Sequence, residues 1–116
     1  VVSAALQNAM NASSATLPAG SDEFAHAKLE KAECESINAP RVAHAPAALE
    51  CKLTQIIKLE GASNYLVLGE VTGVHLEDAC IKDGRFDITT YQPLARLGYR
   101  DYATISELFS LERPTG

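Results

Sequence analysis

The sequence predicts a mainly β, antiparallel fold with short helices, of the kind found in parts of barrels and sandwiches. Residues 49–60, "LECKLTQIIKLE", alternate apolar and polar side chains with a single interruption, which is the pattern of a strand. Residues 65–76, "YLVLGEVTGVHL", carry apolar side chains on both faces. Residues 61–64, "GASN", supply a turn between these two runs. Together the three segments predict one long hairpin.

The two strands of this hairpin are predicted to have different surroundings. The alternation in residues 49–60 indicates one buried face and one face in solvent. The two-sided apolar run in residues 65–76 is typical of an interior strand with a neighbour at each edge. Gly69 and Gly73 within that run predict a bulge or a close approach of two backbones.

Two short helices are predicted before the hairpin. Near the start, apolar residues recur at the spacing of an amphipathic helix, at Val2, Ala5, Leu6, Ala9 and Met10. The small polar residues and breakers of segment 11–20 end this helix. Ser21 is the predicted N-cap of a second helix that runs to about Lys28.

The other segments are predicted to form short elements. Pro40 and Pro46 exclude a long regular element between the second helix and the hairpin. A turn is predicted at Asp83–Gly84, and Asp87 is the predicted N-cap of a short helical turn. Ser106 is predicted to cap a helical segment near the end of the chain.

Length and composition predict one domain that covers residues 1–116. The net charge is −5 and no basic cluster is present, so a nucleic-acid partner is not expected. No run of 18 apolar residues exists, so no membrane span is expected. The chain lacks an initiator methionine and begins directly in a helical pattern. We therefore expect it to be a fragment of a longer protein.

No disulfide framework and no metal site are predicted. Cys34, Cys51 and Cys80 are odd in number and form no CxxC pair, which favours a reduced cytoplasmic compartment. The three histidines are too far apart for helical ligand spacing, so we expect surface or hydrogen-bonded histidines rather than metal ligands.

No catalytic residue is predicted either. The chain contains no nucleophile elbow, P-loop or GxGxxG segment. Counted from a turn near residue 62, the hairpin places Glu70 opposite Thr54 and Glu50 opposite Val74. The two carboxylates are then about 13 Å apart at the rise of a strand. A glycosidase-like pair needs closer placement, so we reject a carboxylate pair.

Four segments nevertheless occur in a characteristic order: "AMNASSATLPAGSDEFAHAKL", "APRVAHAPAALECKL", "YLVLGEVTGVHLED" and "PLARLGYRDYATISELFSLERP". This order resembles the C-terminal part of the flavin reductase-like family of FMN-binding split-barrel proteins. The resemblance extends over nearly all 116 residues. Within the family, the chain is similar to the reductases of the nitrilotriacetate monooxygenase component B type. It implies the C-terminal portion of an antiparallel split β-barrel, a homodimer, and FMN held near the subunit interface.

The resemblance also implies a function. Such a protein passes hydride from NAD(P)H to FMN, or alternatively to FAD, and supplies a partner monooxygenase with reduced flavin. The flavin carries the electronic chemistry, so the absence of a catalytic constellation is expected. Two alternatives stay open, namely a non-catalytic flavin- or heme-binding split-barrel module and a structural dimerisation fragment without a ligand.

Seven cofactor-binding residues are implied by the resemblance: Asn11, Ser13, Ser14, His75, Arg96, Gly98 and Tyr102. For the first three, a loop capped by small polar side chains is the alternative interpretation. For His75, an ordinary histidine at the end of a strand is the alternative.

The stretch "ARLGYRDYATI", residues 95–105, departs from the family at one position. Tyr99 stands where the family carries a second glycine. Tyrosine resists the positive φ that glycine adopts freely. Either the loop keeps its path at a cost of about 1 kcal/mol, or the Tyr99 side chain fills space that a ligand would occupy.

Overall fold

A computed structural model describes residues 1–116 as eight strands, two α-helices and three short 3₁₀ turns. The helices are α1 (Gln7–Ser13) and α2 (Glu23–Ala27). The strands are β1 (Lys31–Ala32), β2 (Arg41–Val42), β3 (Ala47–Lys58), β4 (Tyr65–Leu76), β5 (Ile81–Lys82), β6 (Arg85–Phe86), β7 (Leu94–Arg96) and β8 (Tyr102–Thr104). The strands form four two-stranded antiparallel sheets, which pair β1 with β2, β3 with β4, β5 with β6, and β7 with β8. The predicted antiparallel β class with short helices is confirmed.

The long hairpin is formed by β3 and β4, which are paired from Ala47–Leu76 to Lys58–Tyr65. Two register shifts leave Thr54 and Thr72 without a cross-strand partner. A Cβ added at Gly69 would lie 3.2 Å from the Cβ of Cys51, so this glycine permits the close strand approach. The predicted hairpin, turn and bulges are therefore confirmed.

The predicted burial of this hairpin is wrong. Large apolar side chains of both strands are exposed, and Leu53 on the face expected to be buried is 62% exposed. Strand β4 has only β3 as a neighbour, so it is not an interior strand of a sheet in this chain. The alternation described the chemistry of each face correctly, but no second layer of this chain lies on the apolar face.

Helix α2 begins one residue later than predicted. The Asp22 carboxylate, rather than the Ser21 hydroxyl, accepts hydrogen bonds from the amides of Phe24 (2.9 Å) and Ala25 (3.4 Å). Ser21 instead donates its hydroxyl to the carbonyl of Pro18, at 2.6 Å. Two acceptors compete for one cap position, and the carboxylate also complements the helix dipole.

The short elements near the C-terminus follow the prediction with one exception. Asp83 and Gly84 have φ values of 51° and 75° and form the tight turn between β5 and β6. Asp87 caps the following 3₁₀ turn through Thr89. The helix expected after Ser106 is absent, since residues 105–116 form no regular element. A short isolated helix has too few hydrogen bonds to offset its nucleation cost.

The beginning of the chain is tied to β7 by the backbone. Ser3 forms an isolated bridge with Pro93, and the amide of Leu94 donates to the carbonyl of Val2 at 2.9 Å. The amide of Ala4 donates to Gln92 at 2.9 Å. These bonds hold α1 beside the β7–β8 hairpin. Neither helix has the length and apolar character needed to cross a bilayer.

Candidate functional site

An open cleft lies between α1 and the β7–β8 hairpin, with a volume of about 510 Å³. We call it the arginine cleft, and its lining residues are Gln7, Asn8, Met10, Asn11, Leu94, Arg96, Arg100 and Tyr102. Its volume lies within the range of about 300–1,000 Å³ that is usual for ligand pockets. Most of its side chains are polar, while one methionine and one leucine provide apolar contact.

The charge of the cleft is opposite to that of the whole chain. The chain carries a net charge of −5, but the cleft contains two guanidinium groups and no carboxylate. The three ion pairs of the chain lie elsewhere, so Arg96 and Arg100 have no anionic partner. An uncompensated pair of arginines beside amide side chains is suited to binding an anionic ligand.

Arg96 is positioned by the turn that follows it. Its guanidinium donates to the carbonyls of Tyr99 at 2.6 Å and Asp101 at 3.0 Å, and it lies 4.8 Å from the ring centre of Tyr102. The backbone closes the same turn through the bond from Leu97 to Asp101, at 3.0 Å. Arg96 therefore stabilises the turn and presents its remaining donors to the cleft.

The conformation of Tyr99 distinguishes the two possibilities stated above, a strained loop or a side chain that fills ligand space. Its backbone adopts a φ of +56°, so the loop keeps a left-handed residue at this position. Its side chain is 94% exposed and does not line the cleft. Gly98 does not have a positive φ and has open space around its Cα. The strain falls on Tyr99, and the ligand space remains open.

The structure brings together only some of the seven implied residues. Asn11, Arg96 and Tyr102 line the arginine cleft, and Gly98 lies in the turn beside it. Ser13 and Ser14 lie at the end of α1, where their hydroxyls donate to helix carbonyls at 2.6 Å and 2.7 Å. These hydrogen bonds give the two serines a local structural role at the end of α1.

His75 belongs to a separate cluster around Glu50. The Glu50 carboxylate binds the His75 imidazole Nε2 and accepts the Ser36 hydroxyl at 2.6 Å. It also accepts the backbone amides of Glu35 at 3.0 Å and Ser36 at 2.7 Å. The Ser36 hydroxyl lies 2.6 Å from that of Thr72. We call Ser36, Glu50, Thr72 and His75 the Glu50 cluster.

Glu50 is the most deeply buried large side chain of the molecule, with 2% of its surface exposed. The Ser36 hydroxyl lowers the pKa of this carboxyl most, followed by the Glu35 amide and His75, whereas burial acts in the opposite direction. The pKa is therefore held well below its usual value of 4.5, and the buried carboxylate is ionised. Gly73 leaves the space this requires, because a Cβ there would lie 3.1 Å from the Glu50 Cδ.

The predicted register of the carboxylates needs correction. Glu70 faces Lys52 rather than Thr54, and Glu50 faces Gly73 rather than Val74, because the bulges shift the pairing. Glu50 is buried and Glu70 is exposed. No group of three or more potential metal ligands is present in the chain.

Sequence reasoning missed several lining residues of the cleft. Asn8 and Asn11 are three residues apart on α1 and therefore share one face of the helix. That spacing was a usable signal. Arg100 lies within the stretch that attracted attention, but only the turn geometry shows that it faces the cleft. Glu50 looked like a solvent-facing residue of an alternating strand, and only the loop carrying Ser36 buries it.

A model of the flavin reductase like domain matches residues 1–96. The chain belongs to this family. It is 33% identical over 112 residues to the uncharacterized protein BH2278 of Halalkalibacterium halodurans, an alignment that covers 92% of this chain and 53% of that protein. The chain thus spans about half the length of the curated relatives it matches.

Solved structures show the same fold. Nitrilotriacetate monooxygenase component B from Bacillus cereus superposes with a TM-score of 0.87 at 30% identity, over 96% of this chain and 57% of that chain. A protein from Shewanella frigidimarina, described as a flavin reductase with a split barrel domain, superposes with a TM-score of 0.85 at 23% identity. That alignment covers 97% of this chain and 58% of the other. The predicted family and split-barrel fold are confirmed.

Proposed function

We propose that this chain binds FMN in the arginine cleft and serves as part of an NAD(P)H-dependent flavin reductase. The observation that carries the proposal is the pair of uncompensated arginines in an otherwise acidic chain. Membership of the flavin reductase-like family supports a flavin as the anionic ligand. The flavin phosphate is negatively charged near neutral pH, which is the charge that two guanidinium groups bind best.

The residues of the cleft fit the parts of such a cofactor. Arg100 has no partner within the chain and would pair with the phosphate. The amides of Asn8 and Asn11 would hydrogen-bond polar atoms of the flavin, and Met10 and Leu94 would contact its ring system. When bound, the flavin accepts hydride, while these residues bind and orient it. His75 would act on the cofactor only indirectly, because the Glu50 carboxylate already binds it.

Flavin binding is tested by titrating the chain with FMN and recording the quenching of flavin fluorescence. We expect saturable quenching, and a weaker response with FAD. Asn11→Ala should weaken binding by about 5- to 10-fold through the loss of one hydrogen bond. Ser14→Ala is the matched control on the same helix and should leave the affinity unchanged. Wild-type chain without saturable quenching, or equal loss in both variants, would contradict the proposal.

Turnover is tested separately from binding. We expect added FMN to accelerate oxidation of NADH or NADPH by the protein, with reduced flavin passing to a monooxygenase. The similarity to component B of a monooxygenase from Bacillus cereus supports this partner. Flavin binding without NAD(P)H oxidation would instead favour the non-catalytic flavin-binding module.

We also propose that the chain forms a homodimer. Large apolar side chains of the β3–β4 hairpin, among them Leu53 and Val67, are exposed. Only 6 of 116 residues are buried. A second copy would cover part of this apolar surface. The three unpaired thiols support a reduced, cytoplasmic location.

A further inference from the structure

A second open hollow lies at the tight hairpin formed by β5 and β6, with a volume of about 600 Å³. We call it the basic hollow, and its lining includes Lys82, Arg85, Phe86, Asp87 and Thr89. It is separate from the arginine cleft, because the two have no lining residue in common. Its volume is in the range that is usual for ligand pockets, so it can hold a small molecule or one end of a larger one.

Two cations stand directly opposite each other in the basic hollow. Lys82 of β5 pairs with Arg85 of β6 across the turn at Asp83 and Gly84. This turn requires a left-handed residue other than glycine, since Asp83 has a φ of 51°. Like charges at directly opposite positions of an antiparallel pair destabilise that pair. The hairpin therefore carries an unfavourable arrangement that an anionic ligand would make favourable.

The chain itself supplies no ion pair for either cation. The three ion pairs of the chain involve other residues. Asp87 is the only carboxylate of the lining, and its Oδ1 already accepts the Thr89 amide at 2.9 Å and the Thr89 hydroxyl at 2.6 Å. One carboxylate against two cations leaves the basic hollow positively charged in a chain whose net charge is −5. The hollow is therefore suited to an anionic group such as a phosphate.

Phe86 gives the basic hollow an aromatic wall. Its ring centre lies 5.6 Å from that of Tyr91, at an interplanar angle of 42°, so the two rings pack against each other. An aromatic ring beside two cations matches a ligand that carries both a planar base and a phosphate. In nucleotide sites generally, a basic side chain near the ribose accommodates the 2′-phosphate that distinguishes NADP from NAD.

The basic hollow is close enough to the arginine cleft for one dinucleotide to reach both. Thr89 lines the hollow and Leu94 lines the cleft, and five steps along the chain separate these residues. Five residues span at most about 18 Å even when they are fully extended. A dinucleotide in an extended conformation bridges a distance of this size.

We propose that the basic hollow binds the 2′-phosphoadenosine end of NADPH, so that the protein prefers NADPH to NADH. Lys82 and Arg85 pair with the 2′-phosphate, and Phe86 provides the stacking surface for adenine. The nicotinamide end then extends toward the arginine cleft, where it passes hydride to the flavin of the proposed function and leaves as NADP⁺. The inference rests on that proposed function and assigns the dinucleotide that donates the hydride.

The first test measures binding without turnover. Isothermal titration calorimetry compares adenosine 2′,5′-bisphosphate with adenosine 5′-monophosphate and with inorganic phosphate. We expect the bisphosphate to bind about 10-fold more tightly than either of the others. Lys82→Ala should abolish this difference, whereas Lys58→Ala, an exposed lysine at the end of β3, is the matched control and should retain it. If the monophosphate or inorganic phosphate binds as tightly as the bisphosphate, or if both variants lose the difference, the inference is overturned.

The melting temperature of Lys82→Ala shows whether the variant is still folded. Because the substitution removes one of two like charges, this variant should melt at or above the temperature of the wild type. A lower melting temperature would mean that Lys82 stabilises the hairpin, and it would overturn the inference.

The second test locates the bisphosphate. Amide chemical shifts of ¹⁵N-labelled protein are followed by NMR while adenosine 2′,5′-bisphosphate is added. We expect the largest changes at residues 81–89, whereas changes centred on residues 94–102 would place the ligand in the arginine cleft and overturn the inference. The FMN titration is read separately. FMN binding without a preference for the bisphosphate overturns this inference alone, whereas a chain without saturable FMN quenching contradicts the proposed function.

Discussion

The Glu50 cluster and the arginine cleft are both polar, but they use their polar groups in opposite ways. In the Glu50 cluster, two amides, one hydroxyl and one imidazole converge on one buried carboxylate. In the arginine cleft, Arg100 has no ion-pair partner in the chain, and the site is open to solvent. Polar groups that satisfy each other hold a fold together, whereas polar groups left without partners are available to a ligand.

The comparison predicts that Glu50→Ala has the largest effect on stability. The substitution leaves two amides and a hydroxyl without their acceptor and removes the hydrogen bonds that hold the loop at Ser36 to β3. We expect the melting temperature to fall by on the order of 10 °C. Glu70→Ala, an exposed carboxylate on β4, should change it by no more than about 2 °C. Comparable losses would mean that the Glu50 cluster does not stabilise the fold.

The same cluster should make stability depend on pH. The pKa of Glu50 is lowered in the folded state, so its stabilising effect is complete above its ordinary value of 4.5 and is lost progressively as the pH falls below that value. Denaturant titrations between neutral and acidic pH measure this dependence. The difference between wild type and Glu50→Gln should shrink as the pH falls. If the stability difference between wild type and Glu50→Gln does not change with pH, the pKa of Glu50 is not lowered by folding.

Substitutions in the arginine cleft should affect binding rather than stability. Arg100→Ala removes a charge that has no partner in the chain, so we expect FMN affinity to fall about 10-fold. The melting temperature should stay within about 2 °C of wild type. Arg113→Ala is the matched control for net charge, because Arg113 does not line the cleft. If Arg113→Ala weakens FMN binding equally, the effect is one of overall charge and not of the cleft.

The smallest expected effect concerns the strained turn beside the cleft. Tyr99→Gly relieves a left-handed conformation at an exposed residue, so the free energy of unfolding should rise by about 0.5–1 kcal/mol. Gly98→Ala tests the adjacent position, which has an ordinary φ and open space, and should be nearly neutral. Chemical denaturation measures both. If Tyr99→Gly lowers the free energy of unfolding, the tyrosine ring stabilises the fold by more than the backbone strain at this residue costs.

Much of the fold could be predicted because its signals are local. The alternation in residues 49–60, the turn at residues 61–64 and the cap at Asp87 each depend on side chains within a few positions. The start of α2 shifts by one residue because Asp22, rather than Ser21, caps the helix. Both side chains are good acceptors, and neighbouring residues decide between them.

The candidate site was harder to predict because it combines distant segments. Asn11 and Tyr102 line the same cleft because backbone hydrogen bonds join residues 2–4 to residues 91–94. His75 was assigned to the same site by resemblance, whereas hydrogen bonds place it with Glu50 and Ser36. No periodicity in the sequence carries information about contacts of that separation.

Residue chemistry alone specified the strands, the tight turns, the charge of the chain and its resemblance to flavin reductases. Tertiary structure decided which faces are buried, since exposure of an apolar face depends on whether another layer lies against it. It also decided that Glu50 is an ionised, buried centre and that neither arginine of the cleft forms an ion pair within the chain. Hydrogen-bond partners and burial arise from three-dimensional neighbours, and those are set by the packing of elements far apart in the chain.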